Sequence, residues 1–241
     1  MPTLLRQKRV GKSPPKRSSA SKDPTVLVTG FTAIPGMNGE NPTEAAVKGL
    51  QGFRVAGARV QALILPSSYA AAARKLRGAV KRLNPCAVVC FGVGPSGPFL
   101  LERRARNRDD DSRKDADGKC SRNSAIHKKG PSEVASTLPL DVIRARLAAA
   151  EIPSVASDEA GGYVDNRVFY EVVQCMPVDQ GVAGLIRMPG LSAKADLATK
   201  ARHRMQAATA VRLIVGAAAE RGVVFRTAAQ AREAAESVKR R

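Results

Sequence analysis

Short apolar runs that alternate with helical patterns are the feature that most constrains how this chain can fold. The runs have the length and β-branched composition of buried strands and cover residues 25–30, 58–65, 86–91, 152–156 and 183–186. Helical patterns lie between and after them, at residues 43–50, 68–83, 140–150, 164–174 and 195–220. This alternation predicts an α/β fold, a three-layer αβα sandwich around a mostly parallel central sheet. In such sheets, sites lie beyond the carboxyl ends of the strands.

The chain is strongly basic, with 40 Lys and Arg residues against 21 Asp and Glu residues and a net charge of +19. Residues 1–22 hold seven of the basic residues and no acid. We therefore predict a basic N-terminal arm of the disordered type (1–24), an α/β domain (25–222) and a basic, Ala-rich extension (223–241). The arm has three interpretations: a transit peptide for the mitochondrial matrix, a nucleic-acid-binding arm, or a solvated tail. Without a transit peptide, the expected location is the cytoplasm.

The charge balance also predicts an anionic partner, with RNA first, and protein partners in a larger complex. The candidate nucleic-acid-binding residues are Arg6, Lys8, Arg9, Lys12, Lys16, Arg17, Arg103, Arg104, Arg106, Arg108, Lys239, Arg240 and Arg241. Aromatic residues do not alternate with them, so RNA contacts would run through the phosphate backbone. The alternative is dispersed, solvated charge, which the acidic residues among the basic ones at 103–130 favour for part of that stretch.

The four cysteines offer little support for metal or disulfide chemistry. None forms a C-x-x-C pair and no histidine cluster accompanies them, so we predict no metal site and no cofactor. Cys86 and Cys90 lie in an apolar run and are expected to be buried, reduced thiols. No apolar stretch approaches the roughly 18 residues that a membrane span requires.

Several segments together carry a resemblance to a known family. Residues 160–170 read AGGYVDNRVFY, residues 184–189 read GLIRMP, residues 26–31 read VLVTGF and residues 101–103 read LER. In their order and spacing, these segments resemble the pyroglutamyl peptidases, cysteine peptidases that remove an N-terminal pyroglutamate. The resemblance implies that family's α/β fold over most of the chain, from about residue 26 to about residue 219.

The resemblance also implies an altered site. The family's nucleophilic cysteine falls at Asp165 and its general-base histidine falls at Arg187, whereas its glutamate is matched by Glu102. The family's substrate pocket falls at Phe31, Ile34 and Val93. Of these, only Phe31 keeps the family residue.

Neither substitution preserves thiol chemistry. A carboxylate is a weak nucleophile toward an amide, and a guanidinium stays protonated and cannot act as a base. The expectation is therefore that the chain is not an enzyme but a structural or binding component of a larger assembly, a ribonucleoprotein such as an organellar ribosome. The alternatives are an active hydrolase of this fold with an altered site, and an accessory subunit that binds a protein through the former substrate cleft.

The same two residues predict a local structure. Asp165 and Arg187 replace an anion and a cation in the family's site, so we expect a partly buried ion pair between them, with Glu102 as a second acceptor. The alternative is that the two side chains are unrelated and point to solvent.

Overall fold

A computed structural model describes residues 23–33, 41–109, 112–121, 124–176, 179–192 and 194–239. The predicted N-terminal arm, with its candidate residues Arg6, Lys8, Arg9, Lys12, Lys16 and Arg17, lies outside these residues. So do Ile34, Arg240 and Arg241.

A seven-stranded, mostly parallel sheet forms the centre of the fold. The strands along the chain are β1 (Thr25–Phe31), β2 (Arg54–Val55), β3 (Ala58–Leu65), β4 (Ala87–Val93), β5 (Phe99–Glu102), β6 (Arg104–Arg106), β7 (Glu133–Ala135), β8 (Ser154–Ser157) and β9 (Val182–Met188). Their order in the sheet is β2-β3-β1-β4-β9-β5-β8, and β6 and β7 form a separate antiparallel pair. β2 is antiparallel to β3, and β5 is antiparallel to β9.

Helices cover both faces of the sheet. They are α1 (Pro42–Lys48), α2 (Tyr69–Leu83), α3 (Leu140–Ala149), α4 (Val164–Cys175) and α5 (Leu197–Lys239). One apolar cluster joins α1, α3 and α5 to one face of the sheet, and a second joins α2 and α4 to the other face. The predicted three-layer αβα sandwich is therefore confirmed.

Side-chain caps define where two of the helices begin. Asn41 accepts a hydrogen bond from the backbone N–H of Thr43 (3.0 Å) at the start of α1. Ser68 accepts one from the N–H of Ala71 (3.4 Å) at the start of α2. The α4 helix instead begins after Tyr163 without a side-chain cap.

The β5 strand is one of four short strands that the sequence patterns did not predict, with β2, β6 and β7, and it positions a site residue. It runs antiparallel to β9, with Leu100 opposite Arg187 and Leu101 opposite Ile186. Because side chains alternate along a strand, Glu102 lies on the same face of the sheet as Leu100 and its partner Arg187. This register brings together two residues that are far apart in the chain.

The last helix is longer than predicted and continues through the predicted boundary at residues 222 and 223. Near that point Gly222 lies so close to the carbonyl oxygen of Cys86 that a side chain would collide with it. This short distance shows that α5 packs directly against the sheet at the start of β4. None of the helices that the structure describes has the length and apolar character that a membrane span needs.

Candidate functional site

A cavity of about 380 Å³ opens at the carboxyl ends of β1, β4 and β9, beside the first turn of α4. Its wall is formed by Phe31, Asn41, Ser67, Gly92, Val93, Gly94, Pro95, Arg113, Ala160, Gly161, Tyr163, Val164, Asp165 and Arg187. The position agrees with the expectation for a mostly parallel sheet. Phe31 and Val93, predicted as pocket residues, both line this cavity.

Gly92 provides the space in which the two substituted positions meet. A β-carbon at Gly92 would lie 3.1 Å from Oδ2 of Asp165 and 3.4 Å from Cγ of Arg187. Both side chains therefore pack against the backbone of β4 at the same point. The structure brings Asp165 and Arg187 together at one end of the cavity, as the resemblance implied.

The carboxyl of Asp165 is electrostatically perturbed. Burial raises its pKa to about 6, while the positive charge of Arg187 acts most strongly in the opposite direction. The backbone N–H of Asn166 donates to its Oδ1 at 3.2 Å, and Arg113 adds a further positive charge. Some of the Asp165 surface stays accessible from the cavity. A carboxyl with a pKa near 6 can hold or release a proton close to neutral pH.

The predicted ion pair forms with a different partner. Nε of Arg187 donates to Oε1 of Glu102 at 2.6 Å, and its Nη2 donates to the carbonyl oxygen of Glu159 at 2.5 Å. The direct salt bridge of Arg187 is thus with Glu102 and not with Asp165. The antiparallel register of β5 and β9 explains this correction, because it places Glu102 and Arg187 on one face of adjacent strands. Asp165 acts on Arg187 only through its charge.

Thiol and imidazole groups are absent from the cavity wall among the described residues. Cys86 and Cys90 are fully buried, as predicted, and burial raises the pKa of the Cys90 thiol to about 12. Cys175 lies at the far end of α4 and Cys120 is exposed outside this cavity. The site therefore offers a carboxylate and guanidinium groups for chemistry.

The sequence analysis missed Arg113, which reaches the cavity from the charged stretch at residues 103–130. Its guanidinium lies over the ring of Tyr163, 4.3 Å from the ring centre. Because that stretch has no clear helical or strand periodicity, its composition pointed to a solvated excursion. An arginine among so many charged neighbours gave no signal of a role in the site.

The predicted nucleic-acid-binding arginines after Glu102 are largely engaged with acids. Arg103 and Arg104 both pair with Asp158, and Arg104 also contacts Glu133 at 3.0 Å. Arg106 pairs with Glu159 at 2.7 Å.

These pairs leave less positive potential at the surface than the sequence suggested. Arg108 follows them without a regular element, and Lys239 is the last residue of α5. RNA binding stays a prediction. Among the described residues, no group of three or more metal-ligating side chains occurs.

A model of the pyroglutamyl peptidase family matches residues 24–222. The pyrrolidone-carboxylate peptidase of Cupriavidus pinatubonensis is 33% identical over 195 residues, which cover 79% of this chain and 88% of that protein. Pyrrolidone-carboxylate peptidase 1 of Ralstonia nicotianae is 35% identical over 176 residues, which cover 71% and 81%. A mutant pyrrolidone carboxyl peptidase from Pyrococcus furiosus superposes with a TM-score of 0.73 at 27% identity, covering 81% and 98%.

These similarities contradict the prediction that the chain is not an enzyme. The matched relatives carry the names of peptidases, and the solved structure of similar fold is of the same kind. The prediction equated the loss of a thiol and an imidazole with the loss of hydrolysis. The names of the relatives overturn that step.

Proposed function

Because the chain belongs to the pyroglutamyl peptidase family, we propose that it is a hydrolase with an altered site, which cleaves the amide bond after an N-terminal pyroglutamyl group. The relatives are named for pyrrolidone carboxylate, the ring that such an enzyme releases. The cavity supports a substrate of this size, since its volume of about 380 Å³ falls in the range of small-molecule sites. Its wall combines apolar surfaces at Phe31 and Val93 with polar groups at Asn41 and Ser67.

The observation that carries this proposal is the carboxyl of Asp165, with a pKa of about 6, at the cavity wall. A general base works best when its pKa lies near the working pH. Asp165 occupies the position of the family's nucleophile but acts here as a base toward water. The first turn of α4 favours its ionised form after the proton has been passed on.

The proposed step balances without any other co-reactant. Asp165 takes one proton from a water molecule as the water oxygen attacks the carbonyl carbon of the scissile amide. The carbonyl oxygen gains negative charge in the tetrahedral intermediate. The C–N bond then breaks, and the leaving amine takes the proton from Asp165, which regenerates the carboxylate.

Arg187 has an electrostatic role in this scheme. Its guanidinium cannot accept a proton, but it can stabilise negative charge that develops on the carbonyl oxygen. The salt bridge to Glu102 and the contact with the carbonyl oxygen of Glu159 fix its orientation beforehand. Glu102 is thus a positioning residue, which acts through Arg187.

A fluorogenic pyroglutamyl-aminocoumarin substrate tests the proposal with the purified chain. We expect turnover that Asp165→Asn lowers by at least about a hundredfold, the typical contribution of a general base. The matched control is Asp158→Asn, an exposed carboxylate outside the cavity, which should leave turnover unchanged. Iodoacetamide should not inhibit, because no cysteine lines the described cavity wall.

Two results would contradict the proposal. One is a correctly folded protein that does not hydrolyse pyroglutamyl amides over pH 5 to 9. The other is turnover that persists in Asp165→Asn and is blocked by iodoacetamide, since that would place the chemistry on a thiol.

A further inference from the structure

We propose that the outer side of α2 is a binding surface for the phosphate backbone of a nucleic acid. This basic face of α2 consists of Arg74, Lys75, Lys81 and Arg82, which are all exposed. It lies outside the cavity wall and is independent of the proposed peptidase activity. The sequence analysis had selected other residues, among them the arginines after Glu102, three of which pair with acids in the structure.

The spacing of the four residues places their charges on one side of the helix. With 3.6 residues per turn, positions 74, 75, 81 and 82 fall within an arc of roughly 120°. Gly78 lies inside this arc, and a β-carbon there would have nothing within 4 Å. The opposite side of α2 packs into the apolar cluster that it shares with α4 and the sheet. A ligand can therefore reach the row of charges without any change in the fold.

Neighbouring acids do not neutralise the basic face. The α2 helix contains five Lys and Arg residues and no Asp or Glu. Among the residues that the structure describes, Arg74, Lys81 and Arg82 form no ion pair. Lys75 donates to a backbone carbonyl oxygen of β3 at 2.8 Å, whereas Arg77, at the edge of the face, pairs with a buried carboxylate of α4 at 2.7 Å. Four of the five charges are thus available to an external anion.

Two neighbouring elements add positive charge near the carboxyl end of α2. Nη2 of Arg226 on α5 donates to the carbonyl oxygen of Asn84, the residue that caps α2. Arg59, near the start of β3, is exposed and forms no ion pair with another described residue. It lies on the same side of β3 as Leu63 and Leu65, which pack in the apolar cluster beneath α2. Three elements therefore contribute cations to one surface.

The composition of the basic face favours a nucleic acid over other anionic partners. Lysine and arginine that neutralise phosphates supply most of the affinity in backbone binding. A helix that binds a lipid surface would also present large apolar side chains, and a protein interface would contain apolar or aromatic anchors. The large apolar residues that are exposed in the described chain all lie outside α2. Because no exposed aromatic ring is present on this face to stack on bases, we expect binding without sequence preference.

Binding of labelled duplexes to the full chain tests the proposal. We would measure fluorescence anisotropy with RNA and DNA duplexes of about 20 base pairs, at salt concentrations from about 50 to about 200 mM. We expect a Kd that is roughly micromolar or tighter at the lower salt concentration and an affinity that falls steeply as the salt rises, as for backbone contacts. The comparison between RNA and DNA shows which duplex geometry fits the basic face better.

A triple substitution isolates the basic face. Arg74→Gln, Lys81→Gln and Arg82→Gln together remove three charges and keep good helix formers in α2. This α2 variant should bind at least about tenfold more weakly at low salt. The slope of log K against log salt should become shallower by about two to three, because each phosphate contact contributes about 0.9 to it.

The matched control removes the same number of charges from the other side of the molecule. It combines Arg144→Gln, Arg202→Gln and Arg204→Gln, which are exposed on α3 and α5, the helices that cover the opposite face of the sheet. The net charge changes by the same amount, and the N-terminal arm is present in both variants. We expect the control to alter affinity by less than about threefold, since its charges do not belong to the proposed surface. Circular dichroism and a thermal melt establish that each variant is folded.

Three results would overturn the proposal. The first is no binding to either duplex at about 50 mM salt. The second is equal affinity in the α2 variant and the control variant, which would assign binding to net charge or to another part of the chain. The third is tighter binding to vesicles that contain phosphatidylserine than to either duplex, because the partner would then be a lipid surface.

Single substitutions keep the proposal testable if the α2 variant fails to fold. Arg74→Gln and Lys81→Gln should each make the salt slope shallower by about one, and a slope that is unchanged in both would refute the assignment. None of these measurements involves hydrolysis. Absence of pyroglutamyl turnover together with binding that depends on the basic face would therefore contradict only the proposed function.

Discussion

Nε of Arg187 lies 2.6 Å from Oε1 of Glu102, a carboxylate with no exposed surface, although 85 residues separate the two in the chain. The pair joins β5 to β9 beneath the cavity and provides the cation at the site with a fixed partner. Loss of either member leaves a charge that is shielded from water and uncompensated.

Replacing Glu102 should therefore be costly for stability. We expect Glu102→Gln to lower the free energy of unfolding by roughly 3 kcal/mol, because Arg187 then keeps its charge in a mostly buried position. Urea unfolding followed by circular dichroism measures the loss. Glu220→Gln, which breaks the more exposed pair with Arg146, should cost less than about 1 kcal/mol. Similar losses in the two variants would show that the Glu102–Arg187 pair contributes no more to stability than an exposed ion pair.

Replacing Asp165 should have the opposite effect on stability, in a pH-dependent way. Its pKa in the folded chain is raised to about 6 from a value of 3.8. Ionisation therefore costs stability as the pH rises through 6, and the cost is absent below about 4, where the carboxyl is protonated in both states.

Asp165→Asn removes this cost. Calorimetric melts should show the variant to be more stable on the order of 1 kcal/mol above pH 7, with a gain that disappears toward pH 4. Asp158→Asn is the control and should lower stability near neutral pH instead of raising it. The reason is that Arg103 holds the pKa of the Asp158 carboxyl below its usual range. A constant gain for Asp165→Asn at all pH values would show that the Asp165 carboxyl is not perturbed.

Activity should follow the protonation state of the same carboxyl. We expect kcat/KM to rise with pH through an inflection near 6, since the ionised form acts as the base. Arg113→Gln should move this inflection to higher pH, because the positive charge of Arg113 lowers the pKa of Asp165. Initial rates across pH 4 to 9 measure the inflection. Arg103→Gln should leave it in place, and an inflection that moves equally in both variants would point to a general charge effect.

Gly92 should tolerate no side chain without loss of activity. A methyl group there would lie 3.1 Å from Oδ2 and 3.2 Å from Cβ of Asp165, so Gly92→Ala should displace the carboxyl and lower kcat/KM by roughly tenfold or more. Gly78→Ala, in the exposed part of α2 with nothing within 4 Å, is the control. It should keep activity and raise stability by about 0.5 to 1 kcal/mol. Full activity in Gly92→Ala would show that the Asp165 carboxyl can move away from the added methyl group without loss of function.

The sequence patterns predicted the larger elements well because their signals are local. The runs that became β1 and β3 and the pattern that became α2 lie within a residue or two of the observed bounds. The α5 helix was predicted to end at residue 220 but extends to Lys239. Gly222 lies just beyond the predicted end, whereas in the structure it lies inside the helix and allows close packing against Cys86.

The site was harder to predict because its contacts are not local. The resemblance identified Asp165, Arg187 and Glu102, but not which acid would pair with the arginine. That choice depends on the antiparallel register of β5, a four-residue strand next to a Gly- and Pro-rich turn. Arg113 was missed for a related reason, since the burial of Asp115 that anchors it arises only when the segment packs against α2.

The placement of β9 between β4 and β5 sets an order of assembly for the molecule. Residues 182–188 leave the ribosome after every other strand that the structure describes, yet they connect the two halves of the sheet. Until they insert, β5 and β8 have no link to the rest of the sheet, and Glu102 has no guanidinium to meet. A growing or truncated chain that stops short of this strand therefore lacks the ion pair at the end of the cavity.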